Sequence, residues 1–134
     1  MSSGSYDLSE RPIHLGLNAT ASPQPPFTGD PAWYEAYGER HSGDGAEGRL
    51  VSWHSFSENW ESWEMHPAGS EVVLCGDGTI TLIQEGADGQ HARHTLHPGE
   101  YAINAPGVWH TADVEARATA VFITAGEGTR HRPR

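Results

Sequence analysis

Lysine is absent from this chain, and that absence removes two chemistries at once. No lysine Schiff base can form, and no phosphate loop can present its usual lysine. Only 8 basic residues, all arginine, stand against 18 acidic ones, a formal charge of −10 that argues against unaided nucleic-acid binding. A single cysteine, Cys75, rules out an intrachain disulfide. No apolar run reaches the ~18 residues that a membrane-spanning helix needs, and the first residues, MSSGSYDLSERP, lack the apolar stretch of a signal peptide. The expectation is a soluble cytoplasmic protein with neither nucleic-acid nor membrane partners. Hydrophobic residues make up 36% of the 134 and gather after residue 50, so one compact core is expected there.

What is present falls into three parts. Residues 1–47 read as an N-terminal arm and one short helix. Pro, Ser and Gly are frequent up to residue 29, while Ile13, Leu15 and Leu17 alternate as an added edge strand would. Asp30 followed by Pro31 is a helix start, with Trp33 and Tyr37 on one face and an end near His41. Residues 48–125 read as short strands separated by Gly and Pro turns, the pattern of an antiparallel sandwich or barrel. Leu50, Ser52, His54 and Phe56 share one strand face; Ser62, Glu64 and His66 share another. Asp88-Gly89 marks a hairpin, and HARHTLH, from His91 to His97, is read as a solvated strand because glycine and proline bracket it. Residues 126–134, ending in TRHRPR, read as a flexible basic tail.

Two segments carry the candidate chemistry. Trp63 to Gly78 is WEMHPAGSEVVLCGDG, and Gly99 to His110 is GEYAINAPGVWH. They resemble the two motifs of the cupin superfamily, G-x5-H-x-H-x3,4-E-x6-G and G-x5-P-x-G-x2-H-x3-N. His66 stands at the second His, Glu71 at the Glu and Gly78 at the closing Gly; Gly99, Gly107 and His110 match the second motif, with its Pro moved one place to Pro106. Glu58 replaces the opening Gly, Val114 replaces the final Asn, and Glu64 replaces the first His. The last of these changes the chemistry.

The resemblance implies an all-β fold, the double-stranded β-helix or jelly roll, over residues 48–125. It also implies one divalent metal ion held by His66, Glu71 and His110, with iron, manganese, zinc and nickel all open, since the same ligand types serve each. Three roles are open to Glu64: a fourth ligand, a buried general acid or base, or an outward-facing residue. Tyr101, Trp109, Trp53 and His54 lie near the motifs as candidate pocket residues. Trp109, next to an inward His110, is expected to face outward and, with Trp60 and Trp63, to cover a subunit interface; small cupins are commonly homodimers. Cys75 is read as a small core residue. The resulting expectation is a metal-dependent enzyme on a small organic molecule, by oxygenase or isomerase, lyase or cyclase chemistry. The alternative is a non-catalytic cupin that binds or senses a small molecule.

Overall fold

The computed structural model describes residues 4–134. Eight strands build a barrel of two facing antiparallel sheets: β3 (Arg49–Phe56), β4 (Ser62–Met65), β5 (Glu71–Gly78), β6 (Ile80–Glu85), β7 (His91–Leu96), β8 (Tyr101–Asn104), β9 (His110–Asp113) and β10 (Ala118–Thr124). One sheet runs β3-β10-β5-β8 and the other β4-β9-β6-β7. This is jelly-roll connectivity, which covers each sheet with the other.

Both sheets are extended by the chain's ends. The arm supplies β1 (Ile13–Leu15) and β2 (Ala21–Pro23), and β1 pairs with β3 in the register His14↔Leu50. The edge strand expected from the alternation of Ile13, Leu15 and Leu17 is thus present at the first two, while Leu17 opens the 3-10 turn that follows. The helix α1 (Pro31–Arg40) starts where the Asp30 carboxylate accepts from the Trp33 amide at 2.9 Å and ends at His41. Trp33 is buried, edge-on to Phe27 and stacked on Tyr37, so the helix is fastened through aromatic contacts.

Residues 126–134 correct the expectation of a flexible tail. They end in β11 (Arg130–Pro133), which pairs with β4 in the register His131↔Glu64 and Arg132↔Trp63. The guanidinium of Arg132 lies 4.6 Å from the Trp109 ring centroid and 5.2 Å from that of Trp63, and it bonds Glu85. Arg134 bonds Asp113 and the Ala112 carbonyl. Arginine stacking on indole faces holds the strand despite its charge. Within the chain, then, Trp63 is buried and Trp109 half-buried under Arg132.

The apolar core fills one part of the barrel: Val73, Cys75, Ile80, Leu82, Ala120 and Phe122 are all buried, each large aliphatic contributing ~1.5–3 kcal/mol. Cys75 is a free, buried thiol in that cluster, as its composition suggested. The strand over HARHTLH is solvent-exposed except at Leu96. Where the core ends, polar side chains take over the interior.

Candidate metal centre

The strands that end together deliver the site. His110 opens β9 and His66 follows β4 in one sheet; Glu71 opens β5, Asn104 closes β8 and Thr124 closes β10 in the other. The Pro67–Ser70 turn links the His66 and Glu71 segments, and the amide of Gly107, at φ +79°, donates to the His66 carbonyl at 3.0 Å. That left-handed conformation suits glycine and lets the loop before His110 reach the other histidine's backbone.

His66, Glu71 and His110 are buried, and one donor atom from each lies within 4.8 Å of the other two. The Glu71 carboxylate is 3.1 Å from Nε2 of His66 through one oxygen and 3.1 Å from Nε2 of His110 through the other. Neither Nε2 has a hydrogen-bond partner; with the indole nitrogen of Trp60 they are the buried side-chain polar atoms left unsatisfied among the described residues.

The opposite ring nitrogens assign the tautomers. Nδ1 of His66 lies 2.8 Å from the Thr129 hydroxyl, which donates its own proton to the Gly126 carbonyl at 2.8 Å. That hydroxyl must therefore accept, and Nδ1 carries the hydrogen. Nδ1 of His110 faces the Val108 carbonyl at 3.3 Å, an acceptor, so it too is the protonated nitrogen. In both neutral imidazoles the Nε2 lone pair is aimed at a carboxylate. Two lone pairs and a carboxylate repel one another in a buried site unless a proton or a cation sits among them. The residues fit a divalent metal ion, and the backbone and hydroxyl partners on Nδ1 are the supports that metal-binding histidines require.

The protons respond to the same geometry. In the metal-free site a proton takes the cation's place: burial works to push Glu71 up, but the protonated His110 and His66 beside it outweigh that and hold the carboxyl well below its ordinary range. Burial works to lower His66, yet the hydrogen bond and charge of Glu71 raise it overall. Beyond the three ligand candidates, Asn104 Nδ2 donates to Glu71 at 3.0 Å and the Thr124 hydroxyl donates at 2.6 Å. Gln84 donates to Asn104 Oδ1 at 2.8 Å, which fixes the orientation of that amide, and His94 donates to Gln84 Oε1 at 3.1 Å. Asn104, Thr124, Thr129 and Gln84 were not singled out in the sequence; each is a common polar residue whose role depends on which strand ends meet.

Glu64 pairs with His110 across the β4–β9 ladder and lines the same cavity, but it stands outside the 4.8 Å cluster. Its carboxylate lies 3.2 Å from Nε2 of His131 on β11. The cavity has a volume of about 1140 Å³ and extends from these residues to the arm and helix, reaching His14, Tyr37 and His41. His54 lines it, as do Leu50, Ser52 and Phe56 from the same face of β3. Trp53, Tyr101 and Trp109 do not line it. Trp53 lies on the other face of β3 over Gly76, and Tyr101 is 62% exposed on the edge strand β8.

No family model and no curated protein matches the sequence. Solved structures do match the fold. An oxalate oxidase superposes with a TM-score of 0.56 at 15% identity, covering 69% of this chain and 50% of that one. A cupin-2 domain protein of Shewanella frigidimarina gives 0.48 at 19% identity over 64% of this chain and 71% of that one. The hydroquinone 1,2-dioxygenase of Sphingomonas sp. TTNP3 gives 0.49 at 15% identity over 57% and 58%. This chain spans half the length of the oxalate oxidase. Strand order and the likeness to the oxalate oxidase agree on the fold, a cupin-type jelly-roll barrel.

Proposed function

We propose that this protein is a metal-dependent enzyme acting on a small organic molecule inside the barrel. His66, Glu71 and His110 hold one divalent ion, iron, manganese, zinc or nickel. The observation that carries the reading is the pair of buried, unpartnered Nε2 atoms converging on the Glu71 carboxylate. When bound, the ion supplies Lewis acidity toward a substrate carbonyl or hydroxyl, or, as iron, a site for oxygen chemistry.

The chain's own residues do the rest. Thr129 and Val108 keep both imidazoles in the ligating tautomer. Asn104 and Thr124 orient the Glu71 carboxylate. Phe56, Trp60 and Phe122 close the core side of the cavity and exclude water from it. Glu64, facing the cavity and in reach of His131, is the group that accepts or returns a substrate proton. Assembly as a homodimer is also proposed, and sedimentation velocity tests it.

Elemental mass spectrometry on the untagged protein and on His66→Ala and His110→Ala decides the metal reading. Near-stoichiometric metal, lost in both variants, is expected. A wild-type protein that stays metal-free after loading with each of the four ions overturns it. Oxygen uptake then separates an oxygenase from an isomerase or lyase; saturable binding without product moves the assignment to a binding module.

A further inference from the structure

The lining of the cavity has a chemical bias that bears on its ligand. Among the described residues that line it there is no arginine, and the chain has no lysine. Five glutamates line it instead: Glu35, Glu61, Glu64, Glu71 and Glu127. The walls are aromatic, from Tyr34, Tyr37, His54, Phe56, Trp60 and Phe122. Beyond the ion held at Glu71, a carboxylate or phosphate ester entering this space would meet the other four glutamates and no compensating guanidinium, the arrangement that anion sites avoid.

The end of the cavity away from the metal residues is built to accept hydrogen bonds. His14 is buried, and its Nε2 lies 2.6 Å from the Asp44 carboxylate, an acceptor, so Nε2 carries the hydrogen. In the neutral imidazole the Nδ1 lone pair then takes the proton of the Tyr37 hydroxyl at 2.6 Å. With its only hydrogen committed, the Tyr37 oxygen offers just lone pairs to a ligand. His41 stacks on His14 at 3.7 Å and gives its Nε2 hydrogen to Gln24 Oε1 at 2.9 Å, an oxygen that also accepts from Arg40. Its Nδ1 is therefore an acceptor as well. Burial first, and then the charge of Arg40, push the His41 imidazole below its ordinary value. Burial and Asp44 push the Tyr37 hydroxyl up to about 12, and it keeps its proton. His14, His41 and Asp44 approach one another closely enough to suggest a second metal site. The stacked rings, and the commitment of both His14 nitrogens to Asp44 and Tyr37, argue for a polar wall instead.

We propose that the cavity selects a ligand whose body is aromatic or otherwise apolar and uncharged or cationic, with donor groups directed at Tyr37 and His41, and that it discriminates against carboxylate-bearing analogues. This rests on the reading of the barrel as a small-molecule site and narrows the class of molecule it takes. It sets this cavity apart from one suited to a small dicarboxylate.

Methylcatechol, dopamine and dihydroxyphenylacetate present the same pair of hydroxyls and differ in the charge of the side chain: none, positive and negative. Their affinities, measured anaerobically by calorimetry on manganese-treated protein and again after chelator treatment, form the test. Dopamine and methylcatechol are expected to bind at least ~tenfold more tightly than dihydroxyphenylacetate at low salt, with the gap narrowing as salt screens the glutamates. The doubly substituted Glu61→Gln/Glu64→Gln protein should narrow the same gap severalfold. Dihydroxyphenylacetate binding as tightly as methylcatechol overturns the proposal, as does failure of all three to bind at millimolar concentration. Metal content is read on the same samples. Bound metal with a flat charge ranking refutes this inference and leaves the metal assignment standing; a steep ranking in protein that takes up no metal does the reverse.

Discussion

Replacing Thr124 by Val removes one hydrogen bond from the site and little else. The two side chains are nearly the same shape, so the substitution exchanges a hydroxyl for a methyl at the end of β10. The lost bond is the 2.6 Å donation to one oxygen of Glu71, a buried carboxylate whose other oxygen takes the Asn104 amide at 3.0 Å. A hydrogen bond to a charged group contributes ~1.5–3 kcal/mol, and Thr124 is only half-buried, so water recovers part of the loss and the lower end, ~1.5 kcal/mol, is the appropriate figure. An unfolding entropy of ~2.1 cal/mol/K per residue gives ~0.28 kcal/mol/K for 134 residues, and the expected fall in Tm is ~5 °C. Metal affinity should fall 10- to 100-fold, roughly the cost of removing a group that orients a ligand.

Scanning fluorimetry on chelator-treated protein reads the first number, and competition with a metal-binding dye reads the second. Thr124→Ser is the control: it keeps the hydroxyl, loses the methyl and should retain the affinity. A Thr124→Val protein that melts within ~1 °C of the parent and binds metal within about twofold of it would refute the claim that this hydroxyl holds the carboxylate in place.

Three further perturbations test other parts of the structure. Gly78→Ala should destabilise the barrel by ~3 kcal/mol or more, because Gly78 has φ +71° and a Cβ there would lie 2.1 Å from the Arg117 carbonyl oxygen; a urea midpoint near the parent's would contradict it. Thr129→Val removes the acceptor that keeps the His66 hydrogen on Nδ1, so metal affinity should fall ~tenfold while the far-ultraviolet dichroism stays unchanged. In metal-free protein the raised His66 contributes stability that is full below its ordinary 6.5 and is lost as pH rises through the higher folded value; the depressed Glu71 contributes stability present above its ordinary 4.5 and lost as pH falls through the lower one. Tm of the metal-free protein should therefore be greatest between those two values and decline toward alkaline pH, whereas metal-loaded protein should not show that decline; a metal-free Tm that rises from pH 6.5 upward would overturn the assignment.

Local signals were the most legible in the chain. Asp30-Pro31 announced the helix because an N-cap carboxylate and a residue with preset φ act over three positions. The face shared by Leu50, Ser52, His54 and Phe56 followed from strict alternation, and all four line the cavity. HARHTLH has the histidine spacing of a helical face, but the flanking turns decided for a strand, and it is one. His66, Glu71 and His110 were nameable from the resemblance to the two cupin motifs, and Gly and Pro turns pin each to the start or end of a strand. The C-terminal strand was not legible. Three charged or imidazole side chains and a proline carry no strand pattern, and what holds β11 beyond its ladder to β4 is Arg132 against Trp63 and Trp109, brought together only by the β4–β9 pairing. Asn104, Thr124 and Thr129 escaped for the same reason: their partners lie 33, 53 and 63 positions away.

That unforeseen strand bears on the residue where this chain departs most from the cupin motif. Glu64 faces His110 across one ladder and His131 across the other, since β4 lies between β9 and β11. The contact with His131 is 58% exposed on the histidine side, worth ~0–1 kcal/mol at most, so it guides the carboxylate without locking it. A residue needed as a fourth ligand would be held toward Glu71 and the two ligating histidines; one that carries protons gains from standing beside them with access to water through its partner. Glu64→Gln separates the two roles. Metal retained to within about twofold of the parent, with turnover lost, is the outcome the geometry predicts. Metal lost to the same extent as in His66→Ala would make Glu64 a ligand instead. His131→Gln adds a second reading of the same question: it should lower turnover and leave metal content unchanged, because His131 contacts the carboxylate of Glu64 and lies outside the ligand cluster.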